Sequence, residues 1–565
     1  MTEMSTNNIE KVVQGWSGAE MARRLMSLPA KKRLEAILMR SDSEAVIAAL
    51  PAQDFYLTVM DLGPDDALPL LAVGRLSQLN LVFDLLWWRK DEILPGPALE
   101  WIERLARANP QNLLRWLYHA DFELLVGLFG RWLRVAVVSA DADLLEVRDE
   151  YPPHTLDDQY FWEACYPQYE TQLRNILEFL FENHYGFYKG LMDHILQVTN
   201  TALLEDAFRF RRGRLEDLGI PDFYDALAVY QPLAANEICS SGKRGISPPD
   251  DADEGAAGFA LALLSGGDLL DRGLRRIQDP ATLLALQREL VALANKVVVA
   301  DESIPEDADA LRQAVDKVAA MVSLGLDLYT AGDEDLAVAA LQEVFLENLF
   351  RLGFSQVARV RGRLQRLGKT GWLAKWPTGI TYLDEPWKEA AELLLAKSPR
   401  ILRSGLETPG TPQADLIRNR RDLRLANQTV DTIVALGILF EKLGADTDVL
   451  ATELWQDGQA RLLEDVTLAR LIWTAAANQL WRGYWQALPL PVQSWTEVVG
   501  HLAPRSVEQT VRTWLDQQAI LGTQRDLVES YLQPLFVSYH NEMAAVGGDG
   551  KPDPRYMELF LFRAD

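Results

Sequence analysis

The chain has 565 residues, of which 56 are Lys or Arg and 81 are Asp or Glu, for a formal net charge of −25. With 48% hydrophobic residues it holds apolar material for several cores, which excludes a wholly disordered polypeptide. So acidic a surface repels nucleic acid and anionic lipid at long range, so the expected partner is another protein, with neither nucleic acid nor membrane.

The start, Met1–Glu10, is polar and lacks the apolar run of a secretory signal. The longest apolar stretch, Leu124–Ala140, is interrupted by Arg131 and Arg134, and Thr432–Phe440 is shorter still. Neither suits a membrane span. Two cysteines, Cys165 and Cys239, make neither a disulfide framework nor a zinc knuckle. A cytoplasmic location with both thiols reduced is the expectation.

Helical periodicity runs through most of the chain. Leu25, Leu28, Leu34, Ile37 and Leu38 recur at spacings of three and four or their sums, and Leu113, Leu114 and Leu117 do the same. Near the start, Leu28-Pro29-Ala30 returns as Leu50-Pro51-Ala52, an offset of 22 residues. Each unit reads as two short helices around a polar turn, with proline in the first turn, where its missing N–H costs nothing. Such units bury a continuous core only by stacking into a superhelix. Asp149–His154, with its double proline, is the first break. Ser240–Gly258 and Ser404–Asp415 read as linkers, and Leu488–Pro491 and Gly547–Pro554 as further breaks. Lys296–Ala300 (KVVVA) is the best strand candidate in a chain where alternating patterns are scarce. Leu324, Gly325, Leu328, Gly332, Asp333, Ala337 and Leu341 follow the spacing of one tetratricopeptide-like hairpin. A last apolar face runs through Leu436, Leu439, Phe440 and Leu443. The expected fold is all-α and multidomain, a helical repeat with bundle-like blocks. The blocks are residues 1–150, 151–239, 259–403 and 416–565, with linkers 240–258 and 404–415.

The segment LPAQDFYLTVMDLGPDDALPLL, residues 50–71, resembles the helical superhelix of magnesium-transporter N domains and of flagellar motor switch proteins. That resemblance implies a regulatory or scaffolding module in this part, and no transporter, since no span follows. Through QDFYLTV (53–59), FDLLWWRKD (83–91), LDDQYFWE (156–163) and RRGRLEDLGIPDFYDAL (211–227), the whole chain resembles an uncharacterised bacterial all-helical family of unknown function. It implies no activity.

Three arginine clusters stand out in so acidic a chain. The first is Arg209, Arg211, Arg212 and Arg214; the second is Arg359, Arg361, Arg363 and Arg366 with Lys369; the third is Arg418, Arg420, Arg421 and Arg424. Guanidinium forks hold phosphate or carboxylate in two-point contact, so each is a candidate anion site. Arg359, Arg363 and Arg366 share one helical face. Arg211-Arg212-Gly213-Arg214 reads as a loop able to wrap an anion. The competing reading pairs every cluster with the abundant Asp and Glu. Glu216, Asp217, Asp222 and Tyr224 beside the first cluster form a candidate acidic and polar group for an enzyme of unrecognised type, although Asp222 and Asp225 after Pro221 read first as a helix start.

Gly368-Lys369-Thr370 invites a phosphate-loop reading, but Gly362 and Gly368 enclose five residues where the motif needs four, and no strand precedes them. Asp157 reads as the cap of a helix burying Phe161 and Trp162. Glu182, His184 and His194 meet only if two helices fold back. Trp473, Trp481, Trp485 and Trp495, around Arg482 and Tyr484, read as core of the last block. No catalytic residue, metal or cofactor is assigned. The leading expectation is a non-catalytic interaction or regulatory scaffold. The alternatives are an anion, nucleotide or RNA binder, or an enzyme.

Overall fold

The computed structural model describes residues 24–89, 91–138, 151–197, 200–238, 257–262, 264, 267–302, 308–403, 413–445, 448, 450, 454–456, 459–460, 463–502, 504–518, 520, 522–546, 553 and 557–563. The described residues are mostly helical, and strands occur only as short two- and three-stranded pieces, so the all-α class holds. Cys239, most of the segment 240–258, and 404–412 lie outside the described residues. The chain forms two compact units. One comprises residues 1–322 with 332–351, and the other residues 323–331 with 352–565.

The first unit opens with short helices: Ala30–Leu38, Ser43–Ala49, Ala52–Leu62, Leu68–Val73 and Leu76–Leu86. Pro29 and Pro51 each stand immediately before a helix, with φ −55° and −53° already near helical values. Three longer helices follow: Pro95–Ala108, Pro110–His119 and Phe122–Trp132. Asn109 starts the second of them by accepting the backbone N–H groups of Gln111 and Asn112. The core between them is aromatic. Phe83 stacks on Trp87 at 4.3 Å, and Trp116 meets both edge-on at 5.0 and 5.5 Å. The Trp116 indole N–H is satisfied by Asn80 Oδ1 at 2.9 Å.

Two local expectations are corrected in this unit. Tyr160–Ala164 is a strand, the middle of a three-stranded antiparallel sheet between Leu133–Val137 and His154–Thr155. Asp157 therefore caps no helix; its Oδ1 accepts the N–H groups of Gln159 and Tyr160 and turns the chain into the strand. Consecutive aromatics, Tyr160, Phe161 and Trp162, are all buried, which suits a strand covered on both faces better than a one-sided helix. KVVVA, in turn, is the last turn and a half of the helix Pro280–Ala300. Leu286, Leu290, Leu293, Ala294 and Val297 form its buried stripe at spacings of three and four, and this tertiary face outweighs the strand preference of three valines. After Ala308–Thr330 the chain reverses through Ala331 and Gly332, both with positive φ (56° and 85°), and Asp333 caps Glu334–Glu343. That helix lies against Leu269–Arg276, where Leu341 Cδ1 stands 2.7 Å from where a Cβ on Gly273 would sit.

The second unit contains the body of Leu346–Lys369, then Trp387–Leu395, Arg420–Leu443, Leu468–Arg482, Trp495–His501, Pro504–Gln517 and Thr523–Val546. Arg420–Leu443 has the length and apolarity of a membrane span, yet Ala426, Val430, Ile433, Leu436 and Leu439 are buried, so its apolar side is a core face. Trp372 closes over this helix, donating its indole N–H to the Ile433 carbonyl at 2.9 Å. Asp384 takes the N–H of Ala469 at 2.9 Å and the hydroxyl of Tyr531 at 2.6 Å. Trp473 and Trp495 are core residues, as read from the sequence, and Trp485 stacks on Trp514 at 4.4 Å.

Candidate functional site

The first arginine cluster is not a loop. Arg209, Arg211, Arg212 and Arg214 all lie within the helix Asn200–Asp217. Gly213 sits inside this helix at the usual propensity cost of glycine. Arg214 grips both oxygens of buried Asp84 at 2.8 Å and reaches Asp121. Arg211 donates to the Asp84 carbonyl at 2.8 Å and stacks over the Trp88 ring. Burial lowers the Arg211 pKa to about 10. Burial likewise raises the Asp84 pKa, with the Arg214 fork acting in the opposite direction. Arg212 meets Glu216 at 2.7 Å and Asp222 at 3.3 Å, and Arg209 meets Asp206 at 3.6 Å. Asp222 accepts the N–H of Phe223 and starts the short helix Phe223–Ala226. Asp217 is exposed, and Tyr224 is 79% exposed. Glu216, Asp217, Asp222 and Tyr224 thus sit at the surface around Arg212.

The second and third clusters come together in the second unit. Arg363 reaches from Leu346–Lys369 to Asn427 at 3.0 Å and to Asp431, both on Arg420–Leu443. Arg359 and Arg366 share the helical face of Arg363, and Arg420 and Arg424 share that of Asn427 and Asp431. Two basic stripes therefore meet at Arg363. Arg420 pairs with Asp327 at 3.3 Å, and Arg418 approaches Asp415 at 3.6 Å. Arg359 is exposed and has no hydrogen-bond or carboxylate partner among the described residues; Lys369 is the same. Arg366 and Arg424 are exposed and, among the described residues, meet only backbone carbonyls one turn earlier, those of Gly362 and Arg420. Gly362 and Gly368 lie inside a continuous helix, so the N–H groups around them serve the helix and converge on no phosphate.

Other singled-out residues are dispersed. His184 Nδ1 pairs with the Tyr118 hydroxyl at 2.9 Å, and His194 Nδ1 with the Gly190 carbonyl at 2.7 Å. No group of three His, Cys, Asp or Glu with metal-binding geometry occurs among the described residues. Arg482 lies over the Trp481 ring at 3.9 Å and touches the Tyr484 hydroxyl.

Sequence reasoning missed a polar stripe on Ala52–Leu62. Asp54, Thr58 and Asp61 are spaced four and three apart on a helix otherwise buried among apolar side chains. Asp54 accepts the N–H groups of Gly258 at 2.7 Å and Phe259 at 3.1 Å, and burial raises its pKa to about 7. Thr58 and Asp61 both face Arg33, itself buried. Acidic residues at i and i+7 inside an apolar helical pattern were the available signal.

No curated protein and no solved structure matches the chain. The likeness of residues 50–71 to the transporter and motor-switch superhelix thus rests on those residues alone. A family model does match, over residues 10–563, and the chain belongs to that family, described as a family of unknown function, DUF6178.

Proposed function

We propose that this protein is a cytoplasmic, non-catalytic interaction scaffold whose second unit binds an acidic segment of a partner protein along the two basic stripes. The carrying observation is the charge distribution. In a chain of net charge −25, Arg359, Arg366, Lys369 and Arg424 face solvent on neighbouring helices without a carboxylate among the described residues. The buried acids support the same reading. Asp54, Asp84 and Asp384 each bind groups of this chain, so their role is to join segments. Cys165, an exposed and unbridged thiol, fits a reducing compartment.

Poly-glutamate serves as the probe. It should bind the full chain at low salt, weaken steeply as salt rises, and lose at least tenfold in affinity in R359E/R366E/R424E, with circular dichroism unchanged. Equal affinity for the wild type and the triple variant sinks the proposal. Phosphate-bearing ligands use the same guanidinium forks, so the stripes also favour a second reading, an RNA or nucleotide site. An RNA oligomer that outcompetes poly-glutamate at equal charge selects that second reading.

A further inference from the structure

The first unit contains a half-open cavity of about 460 Å³, within the roughly 300–1,000 Å³ typical of small-molecule sites. Its apolar wall is made by Met26, Leu28 and Leu57, and its polar end by Arg33, Asp61 and Arg312. These come from the turn before Ala30–Leu38 and from the helices Ala30–Leu38, Ala52–Leu62 and Ala308–Thr330.

The three charged groups are not equivalent. Arg33 is only 3% exposed and its donors are engaged by the chain. Nε donates to the Leu25 carbonyl at 3.1 Å, one terminal nitrogen to Thr58 Oγ1 at 2.7 Å, and the other to the Leu28 carbonyl at 3.1 Å. Its task is to shape the turn that forms the wall. The Asp61 side chain is 6% exposed, with one oxygen against Arg33 at 3.5 Å and the other against Arg312. So nearly enclosed a carboxylate offers little surface to a cationic ligand. Arg312 is different, because its side chain is 40% exposed. One terminal nitrogen meets Asp309 at 2.7 Å and the other meets Asp61. A guanidinium has five N–H donors, so three remain beyond these two contacts on a side chain that lines the cavity. The lining carries two positive charges and one negative charge.

We propose that this cavity binds a small amphiphilic anion, its carboxylate or phosphate head on Arg312 and its apolar body against Met26, Leu28 and Leu57. The free donors of Arg312 supply the two-point geometry that both heads accept. The apolar wall supplies the burial that a bare inorganic anion would not use. The site is separate from the basic stripes and stands or falls independently of them.

The test is calorimetric titration of the full chain with octanoate, octyl phosphate and octanol. Saturable one-to-one binding of either anion, at least tenfold tighter than octanol, is expected, and the tighter anion identifies the head group. Arg312→Gln should lose that tenfold preference, and Arg312→Lys should keep part of it. Leu28→Trp, at a half-buried position, should fill the cavity and abolish binding while leaving Arg312 and the thermal midpoint in place. Octanol binding as tightly as both anions overturns the proposal. Full anion affinity in a folded Leu28→Trp chain does so as well.

Discussion

Asp54 gives the fold a pH dependence of its own. Its folded pKa of about 7 lies well above its ordinary 3.8, because burial penalises the carboxylate more than two backbone N–H groups and Arg33 favour it. An acid with a raised folded pKa stabilises the fold fully below its unfolded pKa. That contribution is lost as pH rises through the folded value, here between about pH 4 and 7. That rise, from 3.8 to about 7, corresponds to about 4 kcal/mol. Asp54→Asn is neutral throughout, so its stability relative to wild type should climb by that order across the window. Urea midpoints at a series of pH values check this, and a constant difference between the two chains would contradict it. Asp54 and Asp61 were visible in the sequence as letters within QDFYLTVMDL. Their burial was not, because the groups that enclose Asp54 come from Gly258 and Phe259, about 200 positions away.

Helices in this chain are set mainly by the apolar period, and glycine tests how far packing then overrides propensity. Gly213, in Asn200–Asp217, has nothing within 4 Å of where a Cβ would sit. Gly213→Ala should therefore gain about 0.5–1 kcal/mol from helix propensity alone. Gly437, in Arg420–Leu443, is the opposite case. A Cβ there would stand 2.7 Å from Trp372 Cδ1. The indole is held by its bond to Ile433, so Gly437→Ala should cost about 1–3 kcal/mol despite alanine's better propensity. Chemical denaturation followed by tryptophan fluorescence distinguishes the two, and the same sign for both would refute the packing argument. Elements misread from sequence failed for one reason. KVVVA and DDQYFWE were judged on local preference, and the neighbours that cover them decided otherwise. Gly362 and Gly368, spaced one residue too far apart for a phosphate loop, lie inside the helix Leu346–Lys369.

At the scale of the molecule, 81 acidic side chains against 56 basic ones make a self-repelling surface. Raising sodium chloride from about 0.01 to 0.15 M shortens the screening length from about 30 to 8 Å. The thermal midpoint should then rise by several degrees, measured by calorimetry at neutral pH, while poly-glutamate binding falls. A midpoint that drops with added salt would mean that attractive ion pairs, such as Arg214 with Asp84 and Asp121, dominate the balance. The helical class, the scarcity of sheet and the arginine clusters were readable from the order of residues, because a 3.6-residue period and a run of like charges are short-range facts. Which arginines are neutralised was not readable. Arg214 finds Asp84 across 130 positions and Arg363 finds Asp431 across 68, whereas Arg359 and Arg366 find no carboxylate among the described residues. The cavity at Arg312 has the same origin, since Arg312 and Asp61 are 251 positions apart. Coulombic pairing and enclosure depend on distance in space, so only tertiary structure separated the charges that hold this fold together from those left to bind something else.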